Sequence, residues 1–180
     1  MNVGGRENFG ATPLMWSAAR GDLPELRRLL NEGTAIDEQN DHQQTALIYA
    51  ASAGRADAVS LLLSAGTQIE HRDRHGCTPL IYAASGGHIT VVVELLKSGA
   101  DTEAKNNNGV TALMEAAANG HRDLVNALLE AGANPKAEAA SGETALHFAI
   151  QENHREIIDL LLGKWSIKPG NSEASNPLAT

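Results

Sequence analysis

One short phrase recurs five times along this chain, at a constant spacing of 33 residues. The five copies read TPLMWSA, TALIYAA, TPLIYAA, TALMEAA and TALHFAI, and their threonines are Thr12, Thr45, Thr78, Thr111 and Thr144. Two glycine series keep the same register, one at Gly21, Gly54, Gly87 and Gly120, the other at Gly33, Gly66, Gly99 and Gly132. Several independent series in one register indicate an array of repeated structural units.

Physical chemistry predicts two short helices in each unit. Thr12 can cap the first helix by accepting a hydrogen bond from an early backbone N–H. Pro13 is tolerated at the first helical position, because a backbone N–H there would have no partner within the helix. Gly21 ends this helix because glycine adopts the left-handed conformation without a side-chain clash. A second helix is predicted from about Leu23 to Asn31, with Gly33 at its end. The turn-forming residues that follow predict an extended hairpin.

The chain resembles the ankyrin repeat family in the phrases TPLMWSAARGD, TPLIYAASGGH and TALMEAAANGH and in the tails LLNEGTAID, LLSAGTQIE and LLKSGAD. The resemblance covers residues 7–162 and implies an all-α fold, an ankyrin-repeat α-solenoid of stacked helix-turn-helix units with projecting hairpin loops. One unit alone buries too little apolar surface to fold, so neighbours must stack. We predict repeats at about 7–39, 40–72, 73–105, 106–138 and 139–164, within a domain spanning 1–164, and a largely disordered tail at 165–180.

The chain departs from the family pattern at several positions. The family's histidine three residues after the threonine occurs only at His147, and the other repeats carry Met15, Ile48, Ile81 and Met114. Gln43 replaces the hairpin glycine of repeat two, and Asn153 replaces the helix-ending glycine of repeat five, where asparagine is the next-best residue. Arg27 and Arg28 fit a polar cap at the N-terminal end of the array.

Composition and charge exclude several classes of function. A net charge of -8 disfavours a general nucleic-acid binder, since phosphate binding needs a basic stripe. It also disfavours anionic membrane surfaces. The single cysteine, Cys77, excludes an internal disulfide, and Met1 to Gly10 contains no signal-peptide pattern. Because no apolar run approaches the roughly 20 residues of a membrane span, we predict a cytoplasmic protein without a cofactor.

A dense group of potential metal ligands lies in the segment HRDRHGC. His71, Asp73, His75 and Cys77 stand at alternate positions, which would share one face of a strand. The segment falls in a hairpin of the repeat pattern, which favours an exposed contact with a partner. A metal-binding or enzymatic protein that uses these four residues is the alternative hypothesis.

Two further series follow the repeat period. They are the histidines His88, His121 and His154 and the acidic residues Asp37, Glu70 and Glu103. Side chains one unit apart are too distant to bind one metal ion or to act as a general acid and base pair. We predict local hydrogen bonding beside the turn for the histidines and a solvated edge for the acidic residues.

One repeat position collects four of the chain's six aromatic residues: it is occupied by Trp16, Tyr49, Tyr82, Glu115 and Phe148. The family resemblance implies that this position lies on the first helix, towards the concave groove. The rings either pack between neighbouring units or form a strip that binds a partner, and both interpretations can hold, with one ring edge buried and the other exposed. Tyrosine and tryptophan are also the residue types that dominate binding hot spots.

The resemblance further implies that hairpin tips contact partners. The candidates are His42, Gln44, Arg74, His75, Asn108 and Val110, and the tip of repeat three is locally basic. We predict a non-catalytic protein–protein interaction module that binds another protein through the groove and the tips, as an adaptor, a scaffold or an inhibitor by occupancy. The partner is expected to offer an apolar element with a carboxylate nearby, and the array is expected to be monomeric. A self-assembling structural repeat protein is a second alternative.

Overall fold

The computed structural model describes residues 9–166, with side chains up to Gly163. In this part of the chain the helices are α1 (Pro13–Arg20), α2 (Leu23–Asn31), α3 (Ala46–Ser52), α4 (Ala56–Ser64), α5 (Pro79–Ser85), α6 (Ile89–Lys97), α7 (Ala112–Ala118), α8 (Arg122–Glu130), α9 (Ala145–Gln151) and α10 (Arg155–Ser166). The described residues include no strand. Consecutive helices pair into five helix-turn-helix units, and a hairpin loop connects each unit to the next.

A threonine begins the first helix of each unit, as the sequence predicts. In the first four units its hydroxyl accepts a hydrogen bond from the backbone N–H three residues later. This cap satisfies an N–H group that has no partner within the helix. Thr144 differs, because its hydroxyl lies 2.9 Å from Nδ1 of His147, which also accepts a hydrogen bond from the Thr144 backbone N–H at 3.1 Å.

Left-handed residues end the helices and turn the hairpins where the sequence pattern requires them. Gly21 ends α1 with a φ of 71°. At the positions where the family's glycine is missing, Asn153 has a φ of 58° and Gln43 a φ of 60°. The backbone therefore keeps the left-handed turn at both sites, although neither residue has the conformational freedom of glycine.

Stacking of the units builds one continuous core. The first helices α1, α3, α5, α7 and α9 pack in one row and the second helices α2, α4, α6, α8 and α10 in another. The core contains equivalent buried leucines (Leu14, Leu47, Leu80, Leu113) and equivalent buried alanines (Ala18, Ala51, Ala84, Ala117). Alanine at that position allows neighbouring first helices to approach closely. The predicted all-α repeat solenoid is confirmed.

The two ends of the stack differ in polarity. Glu25 of α2 occupies the position that holds buried apolar residues in the other units (Ala58, Val91, Leu124, Ile157). Its carboxylate pairs with Arg28 at 2.7 Å, which agrees with a polar N-terminal cap. At the other end, Ile150 of α9 is 55% exposed although the equivalent alanines are fully buried. The C-terminal end face therefore keeps an apolar surface.

The last helix passes the repeat border predicted at residue 164. α10 extends to Ser166, whereas the other second helices have nine residues each. The remainder of the predicted tail, 167–180, lies outside the described residues. The repeat borders themselves stay a prediction.

Candidate functional site

The aromatic repeat position forms a row on the first helices. Trp16 is 38% exposed, and Tyr49, Tyr82, Glu115 and Phe148 are half-buried. The rings of Trp16 and Tyr49 meet edge to face, with their centroids 6.0 Å apart. We call these five residues the first-helix face. Each side chain has a buried part and an exposed part, so packing between units and contact with a partner are physically compatible.

The tyrosine hydroxyls of this face are bound to the hairpins. The Tyr49 oxygen accepts a hydrogen bond from Nδ2 of Asn40 at 3.0 Å. The Tyr82 hydroxyl donates to Oδ2 of Asp73 at 2.6 Å and accepts from Nε2 of Gln44 at 3.1 Å. Burial and the Asp73 carboxylate raise the pKa of the Tyr82 hydroxyl above its ordinary value. Ring surface, more than the phenol group, is therefore what these residues offer to a ligand.

A side-chain oxygen stabilises three of the hairpins. Oδ1 of Asn40, Asp73 and Asn106 accepts hydrogen bonds from the backbone N–H groups two and four residues later, at 2.9 to 3.0 Å. These bonds hold the turn in the manner typical of Asn and Asp. The hairpin between α8 and α9 has Ala139 at this position and lacks the side-chain acceptor.

Backbone hydrogen bonds join each hairpin to the next. The N–H groups of Asp41, Arg74, Asn107 and Ala140 donate to the carbonyls of Phe9, His42, His75 and Asn108 at 2.9 to 3.1 Å. The tips are therefore fixed relative to one another. This reduces the conformational entropy that the hairpins would lose when a partner binds.

The predicted tip residues divide into two groups. Arg74, His75 and Asn108 are exposed, while His42, Gln44 and Val110 are half-buried. Phe9 packs on the ring of His42, with centroids 4.4 Å apart, and is itself 46% exposed. The tip of the first unit thus adds an aromatic ring to the surface that the hairpins present.

The residues of the HRDRHGC segment do not form a shared ligand cluster. Asp73 is buried, and its two oxygens accept three hydrogen bonds, two from the hairpin backbone and one from Tyr82. His71 places Nε2 3.0 Å from the carbonyl oxygen of Gln43. Burial raises the pKa of the Cys77 thiol, which disfavours the thiolate that metals bind. Across residues 9–166, no three His, Cys, Asp or Glu side chains are placed to hold one ion.

The periodic histidines contact the preceding unit, not their own turn. Nε2 of His88, His121 and His154 lies 3.0 to 3.2 Å from the carbonyl oxygens of Ser52, Ser85 and Ala118. Arg55 occupies the same repeat position and donates from Nε to the carbonyl of Ala19 at 3.0 Å. The prediction of local hydrogen bonding was wrong about the partner. Each of these side chains bonds a C-terminal carbonyl of the first helix in the preceding unit.

The acidic series also links neighbouring units. Carboxylates of Asp37, Glu70 and Glu103 accept hydrogen bonds from the backbone N–H groups of Gln68, Asp101 and Asn134. Their partners lie 31 residues later in every case. The predicted edge is exposed to water, and its carboxylates also link neighbouring units, which the sequence analysis did not predict.

An apolar pocket lies on the first-helix side, between the first two units. It has a volume of about 270 Å³ and is lined by Ala19, Gln44, Ile48, Tyr49, Ser52 and Ala53. Five of these residues belong to α1 or α3 or lie at their ends, and small side chains leave the space open. The repeat pattern does not predict this pocket, because its walls come from two units.

Stacked helix pairs, linked hairpins and a half-exposed row of rings define a helical repeat protein of the solenoid class. A family model described as ankyrin repeats (3 copies) matches residues 2–73 and 80–173. The chain belongs to the ankyrin repeat family. Members of this family are generally protein–protein interaction modules and are typically not enzymes.

No curated protein matches the chain at a significant level. Within residues 9–166, every helix is too short or too polar to cross a membrane.

Proposed function

We propose that this protein is a non-catalytic interaction module that binds another protein, acting in the cytoplasm as an adaptor, a scaffold or an inhibitor by occupancy. The observation that carries the proposal is the row of half-exposed rings on first helices that are held rigidly by their neighbours. A preorganised apolar strip loses little conformational entropy on binding. Nucleic acids and membranes are not proposed as partners.

The proposed contact surface combines the first-helix face with the hairpin tips. It comprises Trp16, Tyr49, Tyr82, Glu115 and Phe148 together with His42, Gln44, Arg74, His75, Asn108 and Val110. The rings are proposed as the main source of binding energy, since Trp and Tyr are enriched among hot spots. The tips are proposed to supply specificity through polar and charged contacts.

The test is capture of partners from a lysate of the source cells by the immobilised protein, analysed by mass spectrometry. Trp16→Ala removes an exposed ring, and Ile89→Ala, on α6, serves as the control because both side chains are 38% exposed. The proposal predicts proteins that bind the wild type and the Ile89→Ala variant but are lost with Trp16→Ala. Equal capture by all three would contradict it.

The tyrosines need a test that separates binding from folding. Replacing Tyr49 and Tyr82 together by alanine should weaken binding by about 2 kcal/mol or more if both are hot spots. Because their hydroxyls stabilise the hairpins, the paired phenylalanine variant is the control, which keeps the ring surface and removes only the internal hydrogen bonds. Affinity that is lost with alanine and kept with phenylalanine supports a contact through the rings.

We propose that the array acts as a monomer. Light scattering over a range of protein concentrations tests this directly. A concentration-dependent mass would instead favour the self-assembling alternative.

A further inference from the structure

The repeat position at the end of each first helix changes its charge along the stack. This position is occupied by Arg20, Ala53, Gly86, Asn119 and Glu152. It lies four residues after the aromatic position, so on a helix the two side chains share one face. The side of the stack that carries the rings is therefore cationic at its N-terminal end, small and neutral in the middle, and anionic at its C-terminal end.

The cationic end adjoins the apolar pocket. Ala19 lines the pocket, and the next residue, Arg20, lines a neighbouring polar notch together with Arg55 and Asp57. Two guanidinium groups against one carboxylate leave this notch positive, on a protein whose net charge is -8. Glu25 also interacts with Arg20, but its carboxylate is hydrogen-bonded to Arg28.

The anionic end has no compensating cation on its first helices. Neither α7 nor α9 contains lysine or arginine. Glu115 places a carboxylate at the aromatic position and accepts hydrogen bonds from Ser85 at 3.0 Å and from the Asn119 side chain. Glu152 is exposed at the end of α9.

We propose that this side of the stack binds one segment of a partner protein in a single orientation. The acidic end of that segment lies at Arg20, a bulky apolar side chain enters the pocket beside Tyr49, and the basic end lies at Glu115 and Glu152. This assignment rests on the proposed function and adds the chemistry of the partner. Complementary charges across an interface fix the orientation and register of the bound chain and exclude partners of the opposite pattern.

Peptide display provides a probe that needs no known partner. Random peptides displayed on phage are selected against the wild-type protein, and the selected sequences are expected to carry acidic residues on one side of a bulky apolar residue and basic residues on the other. Selection against Ala53→Leu, which fills the pocket, is expected to lose the apolar preference. Thermal unfolding monitored by circular dichroism verifies that this variant folds.

Charge reversal then tests the orientation on one synthetic selected peptide. Arg20→Glu is expected to weaken binding about fivefold or more at low salt, with a smaller effect at high salt. Arg27→Glu makes the same change of charge on α2, where the side chain is exposed, and is expected to leave the affinity unchanged. The double variant Arg20→Glu with Glu152→Arg is expected to prefer a peptide whose acidic and basic residues have been exchanged.

Equal effects of Arg20→Glu and Arg27→Glu would overturn the orientation, and so would selected peptides without a charge pattern. Failure to select any peptide, while lysate proteins still bind in a Trp16-dependent manner, would overturn this inference and leave the proposed function intact. If no peptide is selected and no lysate protein binds in a Trp16-dependent manner, the proposed function is overturned as well.

Discussion

The hydroxyl of Tyr82 lies 2.6 Å from Oδ2 of Asp73, the residue whose other oxygen holds the backbone of the same hairpin. Gln44, from the preceding hairpin, donates to the Tyr82 oxygen. One residue of the first-helix face thus joins two hairpins through a buried carboxylate. The rings that are proposed to bind a partner are also the residues that position the neighbouring tips.

Removing this hydroxyl should destabilise the protein. Tyr82→Phe deletes a hydrogen bond to a buried carboxylate and is expected to lower the free energy of unfolding by about 1.5 to 3 kcal/mol. Tyr49→Phe deletes a hydrogen bond from the neutral amide of Asn40 and should cost about 0.5 to 1.5 kcal/mol. Urea unfolding of both variants measures the difference. Equal costs would mean that the Asp73 contact contributes no more than a neutral one.

The same contact predicts a loss of stability at alkaline pH. The pKa of Tyr82 is raised in the folded protein, by burial first and by Asp73 second, so folding favours the neutral phenol. Its contribution is therefore complete below the pKa of an unfolded tyrosine, about 10, and is lost as the pH rises towards the higher folded value. Melting temperatures measured across this range should fall more steeply for wild type than for Tyr82→Phe.

The alkaline loss of stability needs a control for Cys77, because burial raises the pKa of its thiol as well. The Cys77 shift therefore also lowers the stability of the fold as the pH rises above about 8.5, the pKa of an unfolded cysteine. Melting curves of Cys77→Ser isolate the tyrosine contribution. If Cys77→Ser alone abolished the alkaline effect, Tyr82 would not be its source.

Much of the fold follows from contacts that lie within one repeat. The predicted second helix, from Leu23 to Asn31, has the observed bounds of α2, since its capping and apolar residues are all local in sequence. The bonds of His88 to Ser52 and of Glu103 to Asn134 were missed, because a view of one unit does not contain both partners. The constant 33-residue period of the histidine and acidic series could have predicted these bonds, because a side chain that recurs in every unit can contact the neighbouring unit in the same way.

The periodic histidines crowd three glycines of one series, Gly54, Gly87 and Gly120. A Cβ at Gly87 would lie 2.6 Å from the ring of His121, whereas a Cβ at Gly66 would meet no described atom within 4 Å. Both residues have a positive φ, so both alanine variants incur backbone strain. Gly87→Ala should therefore destabilise the protein by about 1 to 2 kcal/mol more than Gly66→Ala, because it also displaces the ring from the carbonyl of Ser85.

A double-mutant cycle tests this cause. In a His121→Ala background the cost of Gly87→Ala should fall to that of Gly66→Ala, as measured by urea unfolding. An unchanged cost would assign the whole effect to the backbone and none to the ring.

The end of the array should tolerate substitutions that its interior does not. Ala117 is fully buried where α9 packs on α7, and Ile150, its equivalent on α9, is 55% exposed. Ala117→Ile places an isoleucine between two close helices and should cost about 1 to 3 kcal/mol through overpacking. Ile150→Ala removes a half-exposed side chain and should cost about 1 kcal/mol or less. Thermal and urea unfolding compare the two exchanges, and similar costs would show that the α7–α9 interface does not require alanine. The expected asymmetry has a structural reason: in the first four units an alanine at this position is buried against the next first helix, while the isoleucine of the fifth is exposed.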